Sequence, residues 1–165
     1  MNLVSRAYGY TSLDEEEEDG RSEMNVDKVP FKVLELLSFR PTRSLRKCII
    51  DGVKYTIFAT SEADSSICFT IPPSLVWVAG RIEYILEGPG AAVKLVVRRC
   101  KTCEGRVSDP FIAFWSEGFQ AKLVSTSFED ELQAIDAQEL TGHTARWELT
   151  SDEVAVLKRS KVCGG

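Results

Sequence analysis

The sequence predicts an α+β protein: a mainly antiparallel β-sandwich or curled sheet of seven to nine strands, with one or two helices toward the C-terminus. Three observations carry this reading. Between Phe31 and Val124 apolar side chains recur with a period close to two, and turn residues arrive often. Asp51-Gly52 stands between two β-rich arms, which is the strongest short-range hairpin signal. After Ser127 the apolar period lengthens to that of a helix.

Taken in order, Phe31–Phe39 reads as a strand stopped by Arg40-Pro41. Cys48–Phe58 reads as a hairpin, because both turn positions, Asp51 and Gly52, favour positive φ. Ile67–Ile71 is a short strand ended by Pro72-Pro73. In Arg81–Glu87, Ile82, Tyr84 and Leu86 share one face, and Arg81, Glu83 and Glu87 the other. Gly88-Pro-Gly90 turns the chain into Ala91–Arg99, where Val93, Leu95 and Val97 again share a face. Phe111–Trp115 and Phe119–Val124 read as a hairpin around Ser116-Glu-Gly118. Ser127 reads as a helix cap with Asp130 three residues on, and Phe128, Leu132 and Ile135 recur at i, i+4 and i+7. Gly142 would stop that helix, Ala145–Leu149 alternates as a strand, and Thr150-Ser-Asp-Glu153 is a capping-box pattern before a short last helix.

Charge divides the chain in two. Of its 20 basic and 25 acidic residues, three and eight fall in residues 1–28, so that segment carries the whole net charge of −5. It has few large apolar groups and four consecutive glutamates, Glu15–Glu18, and is expected to be a disordered acidic tail before a single β-rich domain at 29–165. A neutral body has no general field for nucleic acid. No apolar run approaches the ~20 residues that span a bilayer, and the first 25 residues hold no apolar segment of a secretory signal. The five cysteines, Cys48, Cys68, Cys100, Cys103 and Cys163, are expected to be mostly reduced thiols of a cytoplasmic protein.

Within the tail, Tyr10-Thr-Ser-Leu13 has the form tyrosine, two residues, bulky aliphatic. Trafficking adaptors bind such peptides as an added strand, with pockets for the ring of Tyr10 and for Leu13. Ser12 precedes the acid run, the setting of an acid-directed phosphorylation site. The alternative is a solubilising tail that keeps sheet edges apart. In the body, Arg40, Arg43, Arg46 and Lys47 form one basic cluster, and Arg98, Arg99 and Lys101 another. Brought together they would make a patch for anionic head groups or phosphates. Separately they are ordinary loop and edge charges.

Cys100-Lys-Thr-Cys103 is one closely spaced thiol pair, whereas a structural zinc site needs four ligands. No stoichiometric metal and no other cofactor is expected. His143, the one histidine, lies near a predicted helix end, where capping explains it. A nucleophile elbow, a phosphate-binding loop and a dinucleotide fingerprint are all missing from the sequence, so no enzyme and no small-molecule substrate are expected.

Ser66-Ile-Cys-Phe-Thr-Ile-Pro-Pro-Ser-Leu75, the Arg81–Glu87 strand and Val93-Lys-Leu-Val-Val-Arg-Arg99 resemble strand segments in matrix proteins of negative-strand RNA viruses. A tail with a short trafficking peptide ahead of a compact β-rich domain is similar to that group as well. The resemblance implies self-association under a membrane, contact with a nucleocapsid, a place in the virion and a role in budding. The expectation is a non-enzymatic assembly protein at the inner face of an anionic membrane, with itself and host trafficking adaptors as partners. The competing reading is a small regulatory protein that binds zinc through Cys100 and Cys103 and contacts RNA or a host factor.

Overall fold

The computed structural model describes residues 10–11, 23–106 and 108–159. Twelve strands occur among them, more than the seven to nine expected: β1 (Tyr10–Thr11), β2 (Glu23–Met24), β3 (Arg43–Leu45), β4 (Lys47–Ile50), β5 (Val53–Thr56), β6 (Ser66–Thr70), β7 (Trp77–Glu87), β8 (Val93–Cys100), β9 (Ala121–Ser125), β10 (Phe128–Asp136), β11 (Leu140–Glu148) and β12 (Glu153–Lys158). Two single-turn helices, α1 (Phe31–Leu34) and α2 (Glu62–Ser65), join them. The α+β, mainly antiparallel class is the one the sequence predicts, but both helices lie in the first half of the chain rather than toward its end.

The frame is the β7–β8 hairpin. Along one edge β7 pairs with β8 from Gly80↔Arg99 to Glu87↔Val93. Along its other edge the first half holds β6 and the second half holds β3, through Arg43↔Glu87 and Leu45↔Ile85. The large sheet runs β10-β8-β7-β6-β11-β12-β9, and a small sheet runs β1-β4-β5. Strand twist curls the large sheet until its β9 edge meets the segment just past β8. There Ser125 N donates to Lys101 O (2.8 Å) and Lys101 N to Ser127 O (3.0 Å). The chain then crosses from β9 into β10 and pairs with β8 from the far side. Gly80 permits the tight β7–β8 approach, since a Cβ there would lie 2.6 Å from the Arg98 carbonyl oxygen.

Three apolar clusters follow. The main one puts Ile67, Phe69, Ile82, Ile85, Leu95, Val97, Ile135 and Leu140 of the large sheet against Cys48, Ile50 and Tyr55 of the small one. A second, inside the curl, gathers Cys68, Trp77, Ala79, Val124, Val154 and Val156. The third holds Val29 and Val33 against Leu86 and Val96. At about 1.5–3 kcal/mol for each large apolar side chain fully buried, the first cluster dominates stability.

The Asp51-Gly52 hairpin forms as expected, with φ of 52° and 75° at its two turn residues. Four expectations fail. Phe31–Leu34 is helical, entered through Pro30, whose φ of −59° suits a helix start. The helix expected from Ser127 to Gly142 is β10 and the start of β11, and Gly142, at φ 150°, sits at a register shift opposite Cys68. The helix expected after Thr150 is β12. Ile112–Glu117 is a 3₁₀ turn rather than a hairpin arm, stopped by Gly118 at φ 85°. Ahead of Val29, Glu23–Met24 pairs with Leu45 and Ser44, and Val26–Lys28 forms a 3₁₀ turn.

Candidate functional site

A cleft of about 460 Å³ opens beside the seam where β9 meets the end of β8. Val78 and Ala79 of β7, Leu123 and Val124 of β9, and Ile112 and Val76 from flanking loops give it an apolar wall. Lys122 shares its lining. Its Nζ lies 4.8 Å from the centre of the Trp77 ring and 5.2 Å from that of Trp115, and donates to the Trp77 carbonyl oxygen. The two indoles stack 6.1 Å apart. Trp77 Nε1 donates to Gln120 Oε1 (3.0 Å) and Trp115 Nε1 to Ala121 O (2.7 Å), which fixes both rings. Burial pushes the Lys122 ammonium below the usual lysine range, Asp109 pulls it back, and Arg99 adds to the depression. Asp109 itself is pinned by the backbone amides of Phe111 and Leu123, both at 2.9 Å.

Large apolar side chains in the segments that flank the cleft are exposed. Leu75 is 94% exposed, and Val76, Ile112, Phe114 and Phe119 are each about half exposed. Arg99 lines the same cleft and is exposed; Arg106, also at the mouth, is held by Glu153 at 2.6 and 3.0 Å.

The two basic clusters do not combine. Arg43 faces Glu87 across β3–β7, while Arg98 faces Arg81 six residues away along β7, about 20 Å at the rise of a strand. Arg43 is neutralised by Glu23 and Glu87. Arg98 Nε is bound to Glu83 (3.0 Å), and its Nη1 donates to the carbonyls of Glu129 and Asp130. Arg40 and Arg46 are exposed, and Lys47 is half-buried in β4. Lys101 is held by its backbone in the seam. Of both clusters, Arg99 alone joins the cleft.

Both thiols of the pair line the cleft. Cys100 also packs against the second cluster and accepts from Arg146 Nη1 at 3.4 Å. Burial pushes both thiols up, and Arg146 partly offsets this at Cys100. Among the described residues no three His, Cys, Asp or Glu side chains gather as a ligand set, and Cys48, Cys100 and Cys103 are free thiols. Nor does His143 cap a helix: it lies in β11, stacked on Tyr55 at 4.4 Å, with Nε2 2.9 Å from Lys54 O and Nδ1 3.3 Å from Ser66 O. Tyr10 and Thr11 run as a strand against Ile50 and Ile49. Ser12 and Leu13 lie outside the described residues.

One buried thiol gives a pH dependence. Cys48 is fully buried, and burial pushes its pKa from 9.0 up to about 12. Above 9 the unfolded thiol ionises while the folded one keeps its proton, so stability falls as pH rises. Below that pH the contribution is complete. Between about pH 8 and about pH 10 the wild type should lose about 1.4 kcal/mol more than Cys48→Val in urea titrations. Parallel losses in the two proteins would refute this assignment.

The sequence reading missed two features. Lys122 gave no signal, being a single lysine in an alternating strand. Arg81 and Glu83 were placed only on the face opposite Ile82, Tyr84 and Leu86, yet the Arg81 guanidinium lies between the rings of Phe58 (3.9 Å) and Phe128 (4.3 Å). Comparison with protein-family models, with curated proteins and with solved structures finds no match to this chain.

Proposed function

We propose that this is a non-enzymatic, matrix-like assembly protein that self-associates, lies on the inner face of an anionic membrane and contacts a nucleocapsid during virion assembly and budding. The observation that carries the membrane part is the mouth of the cleft. Half-exposed Val76 and Ile112 line it with Arg99 and Arg106, and Leu75, next to Val76 in the chain, is almost fully exposed, a pairing that suits acyl chains below and anionic head groups above. Among the described residues no helix is long and apolar enough to cross a membrane. Support for self-association comes from the outer face of β11–β12, where Trp147 is 74% exposed and Leu149 and Leu157 add apolar area.

Co-sedimentation with vesicles tests the reading, with light scattering of the unbound protein reporting its mass. Vesicles containing acidic lipid should bind the protein and neutral ones should not, and the binding should weaken with salt over a Debye length of about 8 Å. Leu75→Asp should weaken it by about ten-fold or more, since inserting one large aliphatic group contributes about 1.5–3 kcal/mol. Arg99→Glu should weaken it on the scale of about 1 kcal/mol per cation. Equal binding to neutral and acidic vesicles, or no effect of Leu75→Asp, removes the membrane role; a strictly monomeric mass removes self-association.

A further inference from the structure

We propose that the seam cleft is a binding site for a single long-chain carboxylate, an amphiphilic anion whose acyl chain lies along the apolar wall and whose head meets Lys122 and Arg99. Size is the first argument: about 460 Å³ falls within the ~300–1,000 Å³ of small-molecule sites. The wall is the second. Val76, Val78, Ala79, Ile112, Leu123 and Val124 present hydrocarbon only, so a compact polar anion would leave most of the cleft unfilled. Charge is the third. The Lys122 ammonium is half-buried over two indole faces, bonded to one carbonyl, and makes no ion pair among the described residues.

The carboxylate nearest the wall, Asp109, has both oxygens engaged by backbone amides, and Glu153 is engaged by Arg106. Lys122 and Arg99 therefore outweigh Asp109 within the cleft, and an incoming carboxylate gains charge-assisted hydrogen bonds in a half-desolvated setting. The ligand enters from the mouth, where Val76 and Ile112 are half exposed. The site shares that mouth with the membrane surface proposed above, but it is tested separately.

The test is isothermal titration calorimetry of the full chain with dodecanoate below its self-association concentration, beside dodecyltrimethylammonium. Dodecanoate should bind saturably, and the cation of equal chain length at least ten-fold more weakly. Lys122→Gln should reduce dodecanoate affinity about ten-fold, the value of one charge-assisted hydrogen bond. Val76→Trp, at a half-exposed position, should block entry without disturbing the core. If Lys122→Gln lacks a cooperative unfolding transition, Arg99→Gln at an exposed position replaces it and should weaken binding in the same direction. Absence of saturable binding, equal binding of the two amphiphiles, or unchanged affinity in a folded charge variant overturns the inference. Leu75→Asp should lose vesicle binding and keep dodecanoate binding, so either proposal can fail without the other.

Discussion

Phe69→Ala should cost about 3–5 kcal/mol, the largest loss expected from any single truncation in this fold. The ring is fully buried in the main cluster, on the strand that joins β7 to β11, with Val78 as its partner on one side and Leu140 on the other. Collapse into the gap is restricted, because both neighbours are held at fixed cross-strand positions. Gly80 beside it has no side chain to move in, and giving it one does not help. A Cβ at Gly80 would stand 3.1 Å from Phe69 Cε1 but also 2.6 Å from the Arg98 carbonyl oxygen, so Phe69→Ala with Gly80→Ala should be no more stable than Phe69→Ala alone. Urea denaturation with an unchanged slope measures both. A loss below about 1.5 kcal/mol would mean that the sheet relaxes into the space, and the account of a rigid β6 junction would be wrong.

Where local chemistry decided the backbone, the sequence could be read. Asp51-Gly52 is the clear instance, since two adjacent positive φ angles leave few alternatives to that pair. Thr150-Ser-Asp-Glu153 shows how such a reading can be half right. Thr150 Oγ1 does accept from the amides of Asp152 (3.2 Å) and Glu153 (3.1 Å), as a helix cap would. The same bonds close a turn in which Leu149 N donates to Glu153 O, and the Val-Ala-Val run beyond it joins β11 and β9 instead of coiling.

Burial on both faces explains the largest error. Leu132 and Ile135 are three apart, a helical spacing, and on a strand they point to opposite sides. Leu132 packs against the third cluster and Ile135 within the first, so both are covered. A register shift between Phe128 and Leu132 then sets three residues of β10 (129–131) against Arg99 alone of β8 and completes the imitation of a helix. The cleft was illegible for a different reason. Trp77, Cys103, Ile112 and Lys122 come together through the bonds that Lys101 makes to Ser125 and Ser127, and nothing in a periodicity marks which strand edge will close on which loop. The basic clusters were visible as composition, yet their carboxylate partners, Glu23, Glu83 and Glu87, are distant in sequence.

Glu83 carries the second large effect. Arg81 and Arg98 stand directly opposite each other on β7 and β8, a like-charge pair that would destabilise a sheet. The register shift between Ile82 and Tyr84 places Glu83 between them, and one carboxylate oxygen accepts from Arg81 Nε (2.8 Å) and Arg98 Nε (3.0 Å). All three side chains are about four-fifths buried, so solvent screens the group less than it would an exposed ion pair worth about 0–1 kcal/mol. Glu83→Gln keeps the shape and an acceptor but leaves two guanidinium groups facing each other, one of them fixed between Phe58 and Phe128. The expected cost is about 1.5–3 kcal/mol, the range of hydrogen bonds to charged groups. Removing one cation as well should recover stability, because what costs most is a partly buried charge without its counter-charge rather than loss of the network itself. Arg81→Met/Glu83→Gln should therefore be more stable than Glu83→Gln, and added salt should help Glu83→Gln more than the double variant. A Glu83→Gln loss under about 0.5 kcal/mol, or a double variant no better than the single one, would show that the aromatic stack, and not the carboxylate, holds Arg81 in place.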